Sequence, residues 1–471
     1  MTSTGEKKAW LPDVVYTAGR FERDLALVCD DAGRITRLAR VDEIPCDVVR
    51  LENRAMLPGM INAHSHAFQR VIRGKTEHRS QDSMDSFWTW REMMYSAAER
   101  LQPKDIYDAS RMAFLEMALG GITSVGEFHY LHRDPRGAPY DDPNLLAKEV
   151  IRAARDVGLR IALLRVAYAR SGYRVDADER QKRFIEDKPD VYLRDFEQLM
   201  RHTALEFNTH DVWVGLAPHS VRAVPLDYQR EVIRYADREK LKVHMHVAEQ
   251  PAENAACLAE HGRTVVALLA DENFLSERFT CVHAVHITHE EAREIGRSSA
   301  MVCACPTTER NLGDGIVPAD ILIEHGVRIA FGTDSQTQIN LLEDARQLEY
   351  NLRLTKLERN VLAPAGPDVA SLAARLFDGA TVHGAASIGA SGGSLEPGCS
   401  ADFFTVDLAD PSIAGASTED LLSSIVFSLS RTAVRDVFVG GRPIVENGRH
   451  PAQREIVESF SALQHDLWRS L

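Results

Sequence analysis

Two histidines, His64 and His66, stand two residues apart in "GMINAHSHAFQR", just after a short apolar run. Further along, His246 precedes Glu249 by three residues in "HMHVAE", His283 lies in "FTCVHAVHI", and Asp334 lies in "FGTDS". Imidazole nitrogens and carboxylate oxygens are ligands of divalent transition metals. Three of the first and one of the second suffice for a mononuclear Zn²⁺ or Fe²⁺ site that keeps room for water. The chemistry such a site offers is hydrolysis, because a bound cation lowers the pKa of water from 15.7 to about 7. A His-x-His pair by itself is ordinary and is usually surface or core histidine. It gains weight only where other ligand-type residues recur at equivalent positions of later elements.

Those later elements can be read from hydrophobic patterning. Apolar runs of strand length occur at 54–64, 121–130, 160–168, 211–220, 241–249, 279–287, 300–308 and 327–335. Most are followed by stretches of helical periodicity, such as "LLAKEVIRAARDVG", "LDYQREVIRYADREK" and "THEEAREIGRS". Eight strands alternating with helices predict an α/β protein built as a (β/α)₈ barrel of the TIM type, whose strands are covered on both sides and so read as continuous apolar runs. In such a barrel all C-terminal strand ends meet at one mouth, and this is where His64, His66, His246, His283 and Asp334 fall. The chain before residue 55 and after about 385 is different, with short strands and Gly-Gly or Asn-Gly turns. The expected organisation is 1–55 as the first part of a small β-sandwich, 56–384 as the barrel, 385–450 as the second part of the sandwich, and 451–471 as a closing helix. The charge-rich stretch "DADERQKRFIEDKPD" (176–190) is expected to be a solvated face or loop.

Bulk properties narrow the function classes. The 471 residues are 44% hydrophobic and 26% charged, the composition of a globular protein rather than a disordered one. A formal net charge of −14 argues against a nucleic-acid or anionic-membrane partner. An anionic substrate would therefore have to be held by local cations. "MTSTGEKKAW" lacks the apolar core of a signal peptide, no apolar run is long enough to span a bilayer, and seven scattered cysteines form no disulfide framework. These features lead to the expectation of a cytoplasmic protein. Cys303 and Cys305 share one face of a strand-like run and are expected to pack in the core.

The constellation resembles the amidohydrolase superfamily, in particular its deaminase branch, over nearly the whole chain. "LPGMINAHSHAF" is similar to the first-strand metal motif, "HVAEQ" to the deaminase His-x-x-Glu, "FGTDS" to the strand-eight aspartate, and "SGGSLEPGCSADFFTVDL" to the returning sandwich segment. The fourth strand-like run, "DVWVGLAPHS", has no lysine that could be carboxylated to bridge two metals, so one metal is expected. Within that branch "SFWTWREMMY", "GEFHYLH" and "APHSVR" are most similar to the formimidoylglutamate deiminases, which hydrolyse N-formimidoyl-L-glutamate to N-formyl-L-glutamate and ammonia in histidine degradation.

The resemblance implies His64, His66, His246 and Asp334 as ligands of one divalent metal, Zn²⁺ or alternatively Fe²⁺. It implies Glu249, His283 and Asp334 as catalytic residues, and Gln69, Arg91, Tyr130, His219 and Arg222 as contacts to a dicarboxylate amidine. It also implies a homodimer. The Glu249 spacing favours His246 over His244, which is read as packing one layer deeper; the choice between His283 and His286 stays open. Asp334 would accept the water's proton, His283 would orient the water, and Glu249 would protonate the imino nitrogen. Rival readings are a related deaminase acting on guanine, adenosine-type nucleosides or another formimino amino acid, a hydrolase of cyclic amides, and a metal-free scaffold on the same barrel.

Overall fold

Strands two and three of the barrel are buried along their whole length, which is why they read as unbroken apolar runs. The computed structural model describes residues 8–44, 46–78, 86–175, 178–366 and 369–469. The eight barrel strands are Met60–Ser65, Ile122–His129, Arg160–Ala167, Val212–Pro218, Val243–Val247, Phe279–His283, Met301–Ala304 and Ile329–Phe331. Each pairs in parallel with the next in chain order. The ring closes where Asp334 N–H donates to His64 O at 3.1 Å and His66 N–H donates to Asp334 O at 3.0 Å. Closure thus happens at the level of the candidate ligands themselves. The fold class expected from the sequence is the one observed.

The crossover helices follow their hydrophobic periodicity. Leu145–Val157 buries Leu146, Val150, Ile151 and Val157 on one face and ends at Gly158, whose φ of +93° suits a left-handed cap. Leu226–Glu239 and His289–Arg297 are the other two helices read from the sequence. Gln453–Trp468 buries Ile456, Phe460, Leu463 and Leu467. Its Gln464 Nε2 and Trp468 Nε1 both donate to Val71 O, in the short helical turn Ala67–Ile72 that follows the first barrel strand.

The two chain ends build one eight-stranded sheet. Lys8–Thr17, Arg20–Arg23, Ala26–Cys29, Ile35–Ala39 and Val48–Pro58 come from the first part of the chain, and Phe403–Asp407, Val434–Val439 and Arg442–Val445 from the last. The halves join where Phe403–Asp407 pairs antiparallel with Val48–Pro58. A second core lies here, with Trp10, Phe403 and Phe438 in mutual ring contact. Arg160 at the start of the third barrel strand donates from Nε to Asp402 Oδ2 at 2.7 Å, tying this sheet to the barrel. No helix among the described residues is long and apolar enough to cross a membrane.

Candidate metal centre and substrate cleft

The end of the first barrel strand is pinned from two sides. The Glu127 carboxylate accepts Ser65 Oγ–H at 2.5 Å and Ala67 N–H at 2.7 Å, so it clasps the backbone on both sides of His66. Across the seam, Asn62 Nδ2 donates to Thr333 Oγ1 at 2.7 Å, and Gln336 Nε2 donates to Ser65 Oγ at 2.8 Å. Gly332 lies between strand eight and His64. A Cβ there would stand 2.7 Å from His64 Cβ and 2.8 Å from His64 O, closer than packed carbon atoms tolerate. His283 (φ +73°) and Asp334 (φ +44°) both hold left-handed backbone conformations, the kind of strain that a surrounding scaffold must impose.

His64, His66, His246 and Asp334 converge, with one donor atom of each within 4.8 Å of the others, and all four are buried. His64 Nε2 stands 3.2 Å from His66 Nε2 and 3.2 Å from His246 Nε2, and Asp334 Oδ1 stands 3.1 Å from His66 Nε2. The far nitrogens of two rings are occupied: His66 Nδ1 donates to Phe128 O at 2.9 Å and His246 Nδ1 donates to His219 O at 3.1 Å. Those bonds leave both Nε2 atoms as lone pairs aimed inward. Burial lowers His64 to about 3, so its ring is neutral and carries one proton at most for three facing acceptors. At least one lone pair must then face another unless a cation lies among them. The donor set fits a divalent metal.

Around this centre the acid–base groups are crowded together. His283 Nε2 stands 3.6 Å from Glu249 Oε1 and 3.7 Å from Asp334 Oδ2, and its Nδ1 stands 3.2 Å from Glu309 Oε1. Burial works against charge on His283, but the Glu249, Asp334 and Glu309 carboxylates hold it well above the usual imidazole range. Burial pushes Glu249 up to about 8, with His283 opposing. Asp334 is held well below the usual carboxylate range by His64 and His66, against its own burial. The neighbouring histidines are engaged elsewhere. His244 Nε2 donates to Ser387 O at 3.1 Å, and His286 Nε2 donates to Asp314 O at 2.8 Å. Cys303 and Cys305 are both buried in one apolar cluster, as expected, and Cys305 Sγ also lies within 4.8 Å of donor atoms of His283 and Glu309.

A cleft of about 550 Å³, including its open mouth, leads to the centre. Every residue expected from the sequence to touch substrate lines it: Gln69, Arg91, Tyr130, His219 and Arg222, together with Glu249, His283 and Asp334. Gln69 Nε2 donates to Tyr130 Oη at 2.7 Å, which leaves the buried Gln69 Oε1 without a partner. The Nε atoms of Arg91 and Arg222 are likewise buried and, among the described residues, have no hydrogen-bond acceptor. Arg91 comes from the helix Phe87–Ala98, where its guanidinium lies 4.5 Å from the Trp88 ring.

Sequence reading missed part of this wall. Tyr95, Tyr168, Phe184, Trp90 and Met94 also line the cleft, and Glu127 and Glu309 support the centre from behind. Glu127 stands in the quoted "GEFHYLH"; its alternation with Phe128 in a strand buried on both sides was the available signal. The stretch 176–190 departs from its expected solvation. Among its described residues Gln181, Arg183 and Glu186 are buried, because Glu186 pairs with Arg165 (2.6 and 2.9 Å) and Arg183 donates to Leu101 O at 2.9 Å. A run of charges satisfied from inside looks, in one dimension, the same as one facing water.

Residues 55–444 match the family model described as the amidohydrolase family. The chain is 38% identical to a formimidoylglutamate deiminase of Pseudomonas aeruginosa over 86% of its own length and 88% of the relative's. It is 27% identical to a 5-methylthioadenosine/S-adenosylhomocysteine deaminase of Pyrococcus abyssi, over 88% of each chain. Among solved structures, an amidohydrolase from Brucella melitensis superposes with a TM-score of 0.88 at 33% identity, covering 98% of this chain and 99% of the other. A zinc-bound adenosine deaminase from Xanthomonas campestris shares the fold, with a TM-score of 0.82 at 21% identity over 99% of this chain and 100% of the other.

Proposed function

The chain belongs to the amidohydrolase family as a hydrolase acting on carbon–nitrogen bonds, and on that premise we propose that it converts N-formimidoyl-L-glutamate and water to N-formyl-L-glutamate and ammonia, a step of histidine degradation. The observation that carries this reading is a cleft with two chemically different sets of groups. One is the imidazole and carboxylate cluster; the other is a pair of half-buried arginines whose buried Nε–H groups lack hydrogen-bond partners among the described residues. The substrate has the same two parts, an amidine carbon to be hydrolysed and two carboxylates to be held. Purine deaminases have no use for two such arginines.

His64, His66, His246 and Asp334 would hold the metal, zinc in this reading and iron(II) as the alternative. When bound, it supplies Lewis acidity that makes water a competent nucleophile at neutral pH. Asp334 takes the proton of the attacking water, with Oδ2 turned towards His283 and Oδ1 towards His66. His283 orients that water. Glu249, which keeps its proton near neutrality because it is buried, gives it to the imino nitrogen and leaves the carbon cationic. Gln69 Oε1 accepts an amidine N–H. The tetrahedral carbon then collapses: Asp334 returns its proton to the former imino nitrogen, the C–N bond breaks and ammonia leaves, while the hydroxyl proton passes to the Glu249 carboxylate as the formyl C=O forms, restoring both groups. Arg91 and Arg222 bind carboxylate by paired charge-assisted hydrogen bonds, with Tyr130 and His219 as further contacts.

We also propose a cytoplasmic enzyme, consistent with the buried free thiols of Cys29, Cys257, Cys281, Cys303 and Cys305, and, on resemblance alone, a homodimer. Ammonia release should be measured for N-formimidoyl-L-glutamate beside N-formimidoyl-L-aspartate, guanine, adenosine and 5-methylthioadenosine, with metal content determined on the same sample. The expected result is turnover of the first far above the rest. Turnover of a purine without turnover of formimidoylglutamate would discard the reading.

A further inference from the structure

Behind the cleft wall lies a buried amide that touches no expected site residue except through two tyrosines. Gln181 is 1% exposed and ends the short turn Glu179–Gln181. Its Nε2 donates to Tyr95 Oη at 2.6 Å and to Tyr168 Oη at 2.7 Å. Its Oε1 accepts from Ser171 Oγ.

The orientation of this amide follows from its neighbours. Ser171 Oγ already accepts the Asp178 N–H at 2.9 Å, so the serine's own hydrogen is available for Gln181 Oε1. Turning the amide over would strand that hydrogen without an acceptor. The NH₂ group therefore faces both phenols. Each phenol oxygen spends a lone pair on Gln181, and neither O–H can point back at a donor. Tyr168 is further confined because the Arg222 guanidinium, also a donor, lies beside its hydroxyl.

Both tyrosines are 2% exposed and both line the cleft beside Arg91 and Arg222. Among the described residues neither O–H has an acceptor, and the two Nε–H groups have none. The Glu253 carboxylate keeps Oε1 3.9 Å from Arg222 Nε, beyond hydrogen-bond reach. Buried donors of native proteins are almost always paired, so four gathered without an acceptor describe the complement of a missing one. A carboxylate has two oxygens with about four lone-pair sites.

We propose that Gln181 is a positioning residue that turns the hydroxyl hydrogens of Tyr95 and Tyr168 into the cleft, where with Arg91 and Arg222 they form a four-donor seat for one carboxylate of the substrate. The proposal rests on the reading above that the substrate carries carboxylates, and it adds what makes the seat selective. Two neutral donors with fixed direction reject a carboxamide, whose NH₂ would meet an O–H with no acceptor to offer.

The test uses Tyr95→Phe, Tyr168→Phe, the double variant, Gln181→Glu, and the triple combination, in the metal-loaded full-length protein. KM and kcat are measured for N-formimidoyl-L-glutamate and for the analogue in which one carboxylate is a carboxamide. Each lost O–H should raise KM roughly 10- to 100-fold, as expected for a hydrogen bond to a charged group, with the loss in KM rather than kcat. The preference for dicarboxylate over carboxamide should shrink by the same factor. Gln181→Glu, whose carboxylate accepts both phenol hydrogens and draws them out of the cleft, should act like the double variant and add little to it. Full additivity in the triple variant, or an unchanged KM in the double variant with normal metal content and melting temperature, overturns the proposal. Where Gln181→Glu does not fold, the two single-atom tyrosine deletions decide alone. Glutarate binding by calorimetry separates the two readings. If the wild type does not hydrolyse formimidoylglutamate, the activity falls, while the seat stands if glutarate binds the wild type and not the double variant, and falls if it binds both equally or neither.

Discussion

Glu249 stands at the junction of the acid–base groups, 3.6 Å from His283 Nε2 and buried. A carboxyl that holds a proton near pH 7 and can also release it serves one step as acid and another as base. Glu249→Gln keeps the shape and would lose both proposed functions. Its kcat should fall by about 10²- to 10⁴-fold while metal content, read by atomic emission, stays at the wild-type level; a near-normal rate would remove Glu249 from the chemistry. The role proposed for Arg222 is of a different kind. Removing a guanidinium that holds a desolvated carboxylate costs on the order of 2 to 5 kcal/mol, so Arg222→Met should raise KM for formimidoylglutamate steeply with the metal retained. An unchanged KM would exclude it from the cleft. Glu249 could be picked out from the sequence because it follows a candidate ligand at the end of a barrel strand, where position in the chain implies position in space, whereas Arg222 was implied only by the resemblance carried by "APHSVR". Tyr95 and Tyr168 were not picked out, although the first ends "SFWTWREMMY" and the second directly follows a barrel strand. One comes from a helix face and the other from just past the third strand, and their hydroxyls acquire meaning only through Gln181, an amide in a segment that reads as solvent-facing.

That segment shows where element-level reading reaches its limit. Hydrophobic periodicity located all eight barrel strands, since a strand covered on both sides must be apolar, and it located the amphipathic crossovers. It has no rule for charges that satisfy one another inside. Arg165 is an arginine in the middle of a buried strand, fully enclosed, and it is balanced by both oxygens of Glu186 and by Asn144 Oδ1 at 3.0 Å. Burial alone would raise the Glu186 pKa, but Arg165 outweighs it and holds the carboxyl down at about 2, against an ordinary value of 4.5. Because the folded-state value is the lower one, the stabilisation is complete above about 4.5 and is lost as pH falls through about 2. At 1.36 kcal/mol per pKa unit it amounts to about 3 kcal/mol. Glu186→Gln leaves Arg165 charged and unpaired, which should cost about 3 to 5 kcal/mol at pH 7. Thermal melts of both proteins from pH 7 to pH 2 should show a gap that narrows as acid neutralises the wild-type carboxyl. A gap independent of pH would mean that the pair does not carry the stability assigned to it.

At the scale of the whole molecule, the four proposed ligands would also form a structural clasp when a metal is bound. The return of short strands and Gly-rich turns at both chain ends was enough to foresee a β-rich unit shared between them, and the count of eight strands was enough to foresee a ring. How the ring closes was not legible, because closure depends on one backbone bridge between Ser65 and Asp334 rather than on a ladder. The fourth and fifth strands are joined almost as sparsely, by Val243 against Leu216 and by the His246 N–H to His219 O bond. His64 and His66 stand on one side of the first weak seam and Asp334 on the other, while His246 stands beside the second. A cation held by all four therefore spans both weak places, and it removes the repulsion among facing lone pairs. A ligand that binds only the folded state stabilises it by RT ln(1 + [L]/Kd), about 4 kcal/mol at a thousandfold excess over Kd. Removing the metal with a chelator should lower the melting temperature by several degrees, reversibly on adding zinc. Hydrogen exchange should rise first at residues 62–67 and 333–336 and around 216–219 and 243–247. If exchange in the stripped protein rises evenly over the barrel, or only in the outer sheet, the cation is not what holds the ring shut.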